Sequence, residues 1–217
     1  MKSYNLVLIG APGSGKGTQA IKLAESQKFL HLSTGDIFRQ NIKNQTKLGL
    51  LAKSYIDKGL LVPDLVTQNM IKDFIKDLPI EQNIVWDGFP RNLVQAEAFE
   101  ALLKEKGWWL FRVIYFKISD EKVIQRLSGR LYAPKSGLSY HSINKPPEKK
   151  GFCDVSGEPL ISRSDDREEI IRSRLAVFYR ETQPLLSYYK KKSLLAEVNA
   201  DLPPNQVSKQ ILEQIKA

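Results

Sequence analysis

Short runs of consecutive apolar residues alternate along this chain with longer stretches in which apolar positions recur every three or four residues. The short runs Asn5–Ile9, Phe29–Leu32, Ile84–Trp86, Phe111–Ile118 and Leu195–Val198 read as strands. Runs of this kind suit a sheet covered on both faces. The first stops at Gly10 and the third at Asp87. The periodic stretches predict helices over Lys16–Gln27, Asp36–Asn44, Leu48–Lys58, Pro63–Leu78, Asp120–Ser128, Arg167–Tyr189 and Pro204–Lys216, and one that carries Leu93, Ala96, Phe99 and Leu103 on a single face. Pro63 suits a helix start, where its missing N–H costs nothing. Strands alternating with helices predict an α/β fold: a parallel sheet flanked by helices, with ligands at the carboxyl ends of the strands.

Residues 129–166 break this pattern. They are polar and turn-rich, lack a helical period, and hold Pro134, Pro146, Pro147 and Pro159. They read as a small inserted β module. The expected division is a core of 1–128 and 167–217 with an insert at 129–166.

Composition narrows the function classes. The chain has 217 residues, 42% apolar and 26% charged, enough for one α/β domain with an insertion. No run of 18 apolar residues occurs, so no membrane span is expected. The apolar run Leu6–Ile9 is too short for a secretory leader, and a Gly-rich loop follows it. The single cysteine, Cys153, allows no internal disulfide and fits a reducing, cytoplasmic setting. The net charge of +9 admits nucleic acid, an acidic surface or a small polyanion as partner, or no partner at all.

The segment from Gly10 to Thr18, GAPGSGKGT, follows a strand and opens a helix. Its glycines let backbone N–H groups turn inward around phosphate oxygens, and the helix N-terminus favours an anion. Gly13, Ser14, Gly15, Lys16, Gly17 and Thr18 are the candidate triphosphate contacts, with Lys16 reaching the β- and γ-phosphates. The hydroxyl residue stands one place later than in the common form of this loop: Gly17 follows Lys16, and Thr18 comes next.

This loop resembles that of the adenylate kinases. Leu32-Ser-Thr-Gly-Asp-Ile-Phe-Arg39, Gly59-Leu-Leu-Val62 and Asp87-Gly-Phe-Pro-Arg91 with Gln95 resemble that family's monophosphate-site segments, in the expected order. The resemblance covers nearly the whole chain. It implies a P-loop kinase core with a five-stranded parallel sheet, a helical AMP-binding segment at about 33–62, and a lid at 129–166. It further implies reversible transfer from ATP to AMP, giving two ADP, by a monomer. The implied AMP contacts are Thr34, Arg39, Leu60, Leu61, Val62, Gly88, Phe89, Pro90, Arg91, Gln95, Arg163 and Arg174. Arginines can fork onto a phosphate, and Gln95 offers a donor and an acceptor to a base. Thr34 could also cap the following helix. Mg²⁺ is expected to be held by nucleotide and water, with Asp87 as a further holder; Asp87 could instead cap the next turn.

Arg126, Arg130, Arg163 and Arg174 match arginines that the family places around the triphosphate. Ser139 and Tyr140 match lid positions near the ATP base, and Leu202 completes the implied ATP contacts. Lys16, Arg91, Arg130, Arg163 and Arg174 are the expected catalytic set, since phosphoryl transfer asks mainly for positioning and charge stabilisation. Arg167 and Arg172 read as surface charges. Many long-lid members bind zinc; the matching positions here are Ala133, Ser136, Cys153 and Ser156, so no structural zinc is expected. His141 and His31 read as structural, Cys153 as a small buried hydrophobe, and Trp108, Trp109, Phe111, Tyr115 and Phe116 as core. A GTP:AMP or pyrimidine-monophosphate kinase is the alternative within the class, and a nucleic-acid-binding module the alternative outside it. No aromatic–basic nucleic-acid motif is found, and neither nucleic acid nor membrane is an expected partner.

Overall fold

The computed structural model describes residues 3–216. Met1 and Lys2, at the start of the segment weighed above as a leader, lie outside the described residues. Five parallel strands form the sheet: β1 (Tyr4–Gly10), β2 (Leu30–Ser33), β3 (Ile84–Asp87), β4 (Trp109–Lys117) and β7 (Leu195–Asn199), in the order β2-β3-β1-β4-β7. The α/β expectation with a five-stranded parallel sheet therefore holds. β1 lies at the centre, with Leu6 beside Val85 on one side and Arg112 on the other.

The lack of alternation in β1 has a direct cause. Leu6 and Leu8 face one core, with Ala20 and Leu23 of helix α1 (Lys16–Gln27) and Val207 and Ile211 of α9 (Pro204–Lys216). Val7 and Ile9 face the other core, which gathers Trp86, Phe99 and Ile171. Both faces are dry along Leu6–Ile9, so those four positions are all apolar, while buried Asn5 takes the Trp86 Nε1–H on its Oδ1. The second core also takes residues from α2 (Thr34–Lys43), α3 (Lys47–Ile56), α4 (Asp64–Ile75), α5 (Leu93–Glu105) and α6 (Asp120–Ser128).

Two sequence expectations need correction. The long helix read over Arg167–Tyr189 is two helices, α7 (Glu168–Val177) and α8 (Pro184–Lys191), joined by a π-helical turn at Phe178–Thr182. Pro184 has no N–H to continue the ladder, and Gln183 N donates to Phe178 O, five residues back, at 2.9 Å. The aromatic run is only partly core: Trp108 and Phe116 are buried, but Trp109 is 47% exposed. Its ring packs edge-on against Phe111, which meets Tyr4 in the same way at the sheet's leading edge.

The insert contains β5 (Arg130–Tyr132) and β6 (Ser139–His141), paired antiparallel. Its small core is Ala133, Tyr140 and Cys153, flanked by Leu131, Leu138 and Leu160. Ala133, Ser136, Cys153 and Ser156, the positions the resemblance implies for zinc ligands, supply one thiol, two hydroxyls and a methyl, a donor set that does not suit zinc. Among the described residues no group of three or more His, Cys, Asp or Glu could hold a metal ion. Hydrogen bonds link these positions instead. Cys153 Sγ lies 3.5 Å from Ser136 Oγ and 3.4 Å from Tyr140 Oη. Buried Glu158 accepts from Lys135 N at 2.7 Å, Ser136 N at 2.8 Å and Ser156 Oγ at 2.8 Å. His141 Nδ1 accepts from Ile143 N and Asn144 N, so its Nε2–H donates to Gln125 O at 3.2 Å, the local bonding role expected of it.

Two stability tests follow from this packing. Gly49 of α3 lies against the α2 backbone: a Cβ there would stand 2.1 Å from Asn41 O. Gly49→Ala should cost about 2 kcal/mol or more in chemical denaturation, because backbone must move to admit the methyl. Glu158→Ala would remove the acceptor that ties Lys135 N, Ser136 N and Ser156 Oγ together. Amides of 131–160 should then lose hydrogen-exchange protection while those of β1 and β4 keep theirs, and a chelator should leave the unsubstituted protein's pattern unchanged. Protection equal to wild type in Glu158→Ala would mean that the carboxylate does not hold the module.

Candidate active site

The loop between β1 and α1 is a turn that glycine makes possible. Gly13 and Gly15 have φ of 75° and 96°, in the left-handed region. Ser14 N donates to Ala11 O across the turn. Lys16, the first residue of α1, arches back over it, and its Nζ donates to Gly10 O at 2.7 Å, Ala11 O at 2.9 Å and Ser14 Oγ at 3.2 Å. Burial lowers the Lys16 pKa to about 8: Asp87 pulls it up, and Arg91, Arg174 and Arg130 push it down. Thr18 is exposed. A Cβ on Gly17 would lie 3.3 Å from Asp87 Oδ2, so the missing side chain leaves that carboxylate facing the loop.

Asp87 ends β3 beside Ser33 of β2, and Gly88 follows at φ 85°. Burial works against the Asp87 carboxylate, but His31, with Nε2 at 3.4 Å, and the Lys16 charge hold its pKa below the usual range. His31, read from sequence as structural, therefore touches the floor of the site. The segment Gly88–Arg91 turns through a cis Phe89–Pro90 bond. Phe89 is buried against Trp86 and Phe99. Arg91 Nε donates to Gly88 O at 2.8 Å, and Arg91 O accepts from Thr182 Oγ1 at 2.7 Å.

A cleft of about 620 Å³, open to solvent, lies beside this segment. Thr34, Arg39, Leu60, Leu61, Val62, Gly88, Arg91, Gln95 and Arg174 line it. Chain segments read separately in the sequence thus meet here. Phe89 supports it from the core, and Pro90 and Arg163 are not among its lining residues. Ser33 rather than Thr34 caps α2: Ser33 is extended and its Oγ accepts from Asp36 N, while Thr34 Oγ1 donates to Gly88 O at 3.0 Å. Arg39 Nη2 donates to Asp36 Oδ1 at 2.5 Å.

Arginines at the module's base lie next to this cleft, and of them Arg174 lines it. Arg130 pairs with Asp166 through Nε at 2.7 Å and Nη2 at 2.5 Å. Arg174 meets Asp165 at 2.8 Å and Asp166 at 3.3 Å. Arg163 lies 4.0 Å over the Tyr132 ring, with Arg39 5.6 Å from the same ring. Burial and the neighbouring Arg130 and Arg39 push the Arg163 pKa down, and burial outweighs Asp165 in lowering that of Arg174. Asp165 and Asp166 were missed in the sequence, where two acidic residues beside an arginine resemble any solvated turn. Arg126 donates to Ser14 O at 3.4 Å and to Ala200 O at 2.8 Å, tying the phosphate loop to the segment after β7. Leu202 packs against the α1–α9 core. The Tyr140 side chain turns into the module, where Asp154 N donates to its hydroxyl, while Ser139 is half-exposed. Arg167 and Arg172 are exposed, on Glu169 and Glu168.

A sequence model of the family described as adenylate kinase matches residues 8–194. Proteins named adenylate kinase are similar over nearly their whole length. One from Caldicellulosiruptor bescii is 44% identical over 210 residues, covering 97% of this chain and 98% of the relative. One from Streptomyces coelicolor is 45% identical over 212 residues, 97% and 98%. One from Exiguobacterium sibiricum is 44% identical over 203 residues, 94% of each. Together with the phosphate loop and the arginine-lined cleft on either side of Asp87, these matches mean that the chain belongs to the adenylate kinase family.

Proposed function

We propose that the chain transfers the γ-phosphoryl group of ATP to AMP, reversibly, giving two ADP. The observation that carries this reading is the pair of anion-binding centres flanking Gly88–Arg91: the Gly10–Thr18 loop and the cleft lined by Arg39, Arg91 and Arg174. A triphosphate in the loop and a monophosphate in the cleft would point their reacting ends at one another. Transfer then needs no protein nucleophile. It needs two substrates held in line and charge stabilised as it spreads over the moving group.

The residues divide that work. Backbone N–H groups of Gly13–Thr18 and the start of α1 cradle the β-phosphate of ATP. Lys16 leaves its three loop oxygens for phosphate oxygens, exchanging neutral acceptors for charged ones. Arg39 and Arg91 grip the AMP phosphate, with Gln95, Thr34 and the Leu60–Val62 backbone around its base. Arg130, Arg163 and Arg174 surround the group in transit. Arg126 steadies the loop, and Ser139, Tyr140 and Leu202 border the donor base. Asp87, a half-buried carboxylate facing side-chain-free Gly17, suits water around Mg²⁺, an ion that keeps much of its hydration. When bound with ATP, Mg²⁺ would neutralise phosphate charge. Residues 129–166 act as a lid, carrying Arg130 and Arg163 onto the substrates and keeping water out.

A coupled assay tests the reading: ADP should form from ATP and AMP, with CMP and UMP poor acceptors. CMP or UMP outperforming AMP would overturn it. Arg39→Ala should raise KM for AMP at least about tenfold and leave KM for ATP nearly unchanged, the size of one lost charged hydrogen-bond pair.

The pH profile supplies a second test. Lys16 must be protonated to meet phosphate, and its pKa of about 8 in the free protein means that charge is lost as pH rises through that value. For ATP, kcat/KM should be flat below pH about 8 and fall above it, because it reports the free enzyme. The bound polyanion raises the Lys16 pKa, so kcat should hold to higher pH. A kcat/KM that stays level to pH 10 would remove Lys16 from this role.

A further inference from the structure

Gln95 is 2% exposed, and both ends of its amide are fixed by groups whose chemistry admits one orientation. Its Oε1 accepts from Arg91 N at 2.8 Å, and a backbone N–H can only donate. Its Nε2 donates to Asp64 Oδ1 at 2.7 Å, and a carboxylate can only accept. The same Asp64 oxygen accepts from Asn92 Nδ2 at 2.9 Å, and Asn92 Oδ1 caps α5 by accepting from Gln95 N at 2.8 Å. Asp64 is the first residue of α4 and does not line the cleft, whereas Gln95 does.

We propose that Asp64 is a positioning residue for acceptor-base choice: it locks the Gln95 amide in the orientation that fits adenine and rejects a 6-oxopurine. The inference rests on the AMP-site reading above. With one lone pair of Oε1 and one hydrogen of Nε2 committed, a single acceptor and a single donor remain, in fixed order. Adenine offers an amino donor at C6 and an acceptor at N1, which complement that pair. Hypoxanthine offers an acceptor at C6 and a donor at N1, the reverse order. To pair with hypoxanthine the amide must flip, which sets Nε2 against the Arg91 N–H and Oε1 against the Asp64 carboxylate. Each contact is then a mismatch in a buried place. Without Asp64 only the Arg91 N–H opposes the flip.

IMP is the probe, since its base differs from that of AMP only at this edge. Asp64→Ala should lower the AMP-over-IMP preference in kcat/KM by about tenfold and raise KM for AMP, with KM for ATP and kcat at saturating AMP within about twofold of wild type. Asp64→Asn also loses the charge at the start of α4 but keeps an acceptor oxygen, and should recover most of the preference. If Asp64→Ala does not fold, Asp64→Glu keeps the charge while displacing the carboxylate by one methylene, and the preference should again fall. An unchanged AMP-to-IMP ratio in a folded Asp64→Ala or Asp64→Glu, whatever the change in Tm, would make Asp64 a helix-end residue and overturn the proposal. A wild-type protein that uses IMP as well as AMP would instead overturn the acceptor-site reading itself.

Discussion

The structure depends on holding many positive charges close together. Lys16, Arg39, Arg91, Arg130, Arg163 and Arg174 converge from five parts of the chain, and each counts another of them among the charges acting on it or stands beside one. Partial burial of all but the exposed Arg91 strengthens this repulsion, because less water screens it. A guanidinium does not escape by losing its proton. The fold contains the repulsion with four carboxylates, Asp36, Asp87, Asp165 and Asp166, each placed at the end of an element or in a tight turn. They offset the cations only in part. On the proposed function a polyanion would complete the balance, and a transition state with charge spread over equatorial oxygens would complete it best.

That arrangement explains why the carboxyl ends of the strands carry so much. β1 ends in the phosphate loop, β2 in Ser33 and Thr34, and β3 in Asp87 and Gly88. The strands themselves are held by two apolar cores and are costly to shift. Side chains at their ends inherit that rigidity. The module is built differently. Its core is three buried residues and a ring of hydrogen bonds around Glu158 and Cys153, so its internal stability is smaller. A rigid base beneath a separately cored module would suit the proposed lid role, in which the site admits two nucleotides and then excludes water.

Much of this was legible in the sequence, for physical reasons. A strand buried on both faces is apolar in consecutive positions, so Leu6–Ile9 of β1, Ile84–Trp86 of β3 and Val113–Phe116 of β4 announce themselves. A backbone that turns at φ 75° and 96° calls for glycine, so the phosphate loop does too. What escaped were features set by partners distant in the chain. Trp109 lies in a strongly apolar run, yet it sits at the sheet's leading edge, where the run leaves the core. The π-helical turn at Phe178–Thr182 precedes Pro184, the first residue of α8, which the apolar period alone does not mark as a boundary. His31 looks like any residue beside a buried strand until the β2–β3 register sets it near Asp87.

The acidic residues were the hardest to read, and they share one cause. An aspartate at position 64, 165 or 166 has the local signature of a helix start or a solvated turn; Asp64 does open α4, and Asp165 and Asp166 lie in a short 3-10 turn where Asp165 is buried. The local role and the tertiary role use different atoms. The backbone and charge of Asp64 serve α4, while its Oδ1 takes the Nε2–H of Gln95 from thirty-one residues away. Asp166 likewise ends a short 3-10 turn while its carboxylate receives Arg130 through two nitrogens. A one-dimensional pattern reports only the first of these roles. The residues that carry charge into the cleft are therefore easier to find from sequence than the residues that aim them, because a cation in a phosphate motif has one job and a carboxylate at a helix end has two.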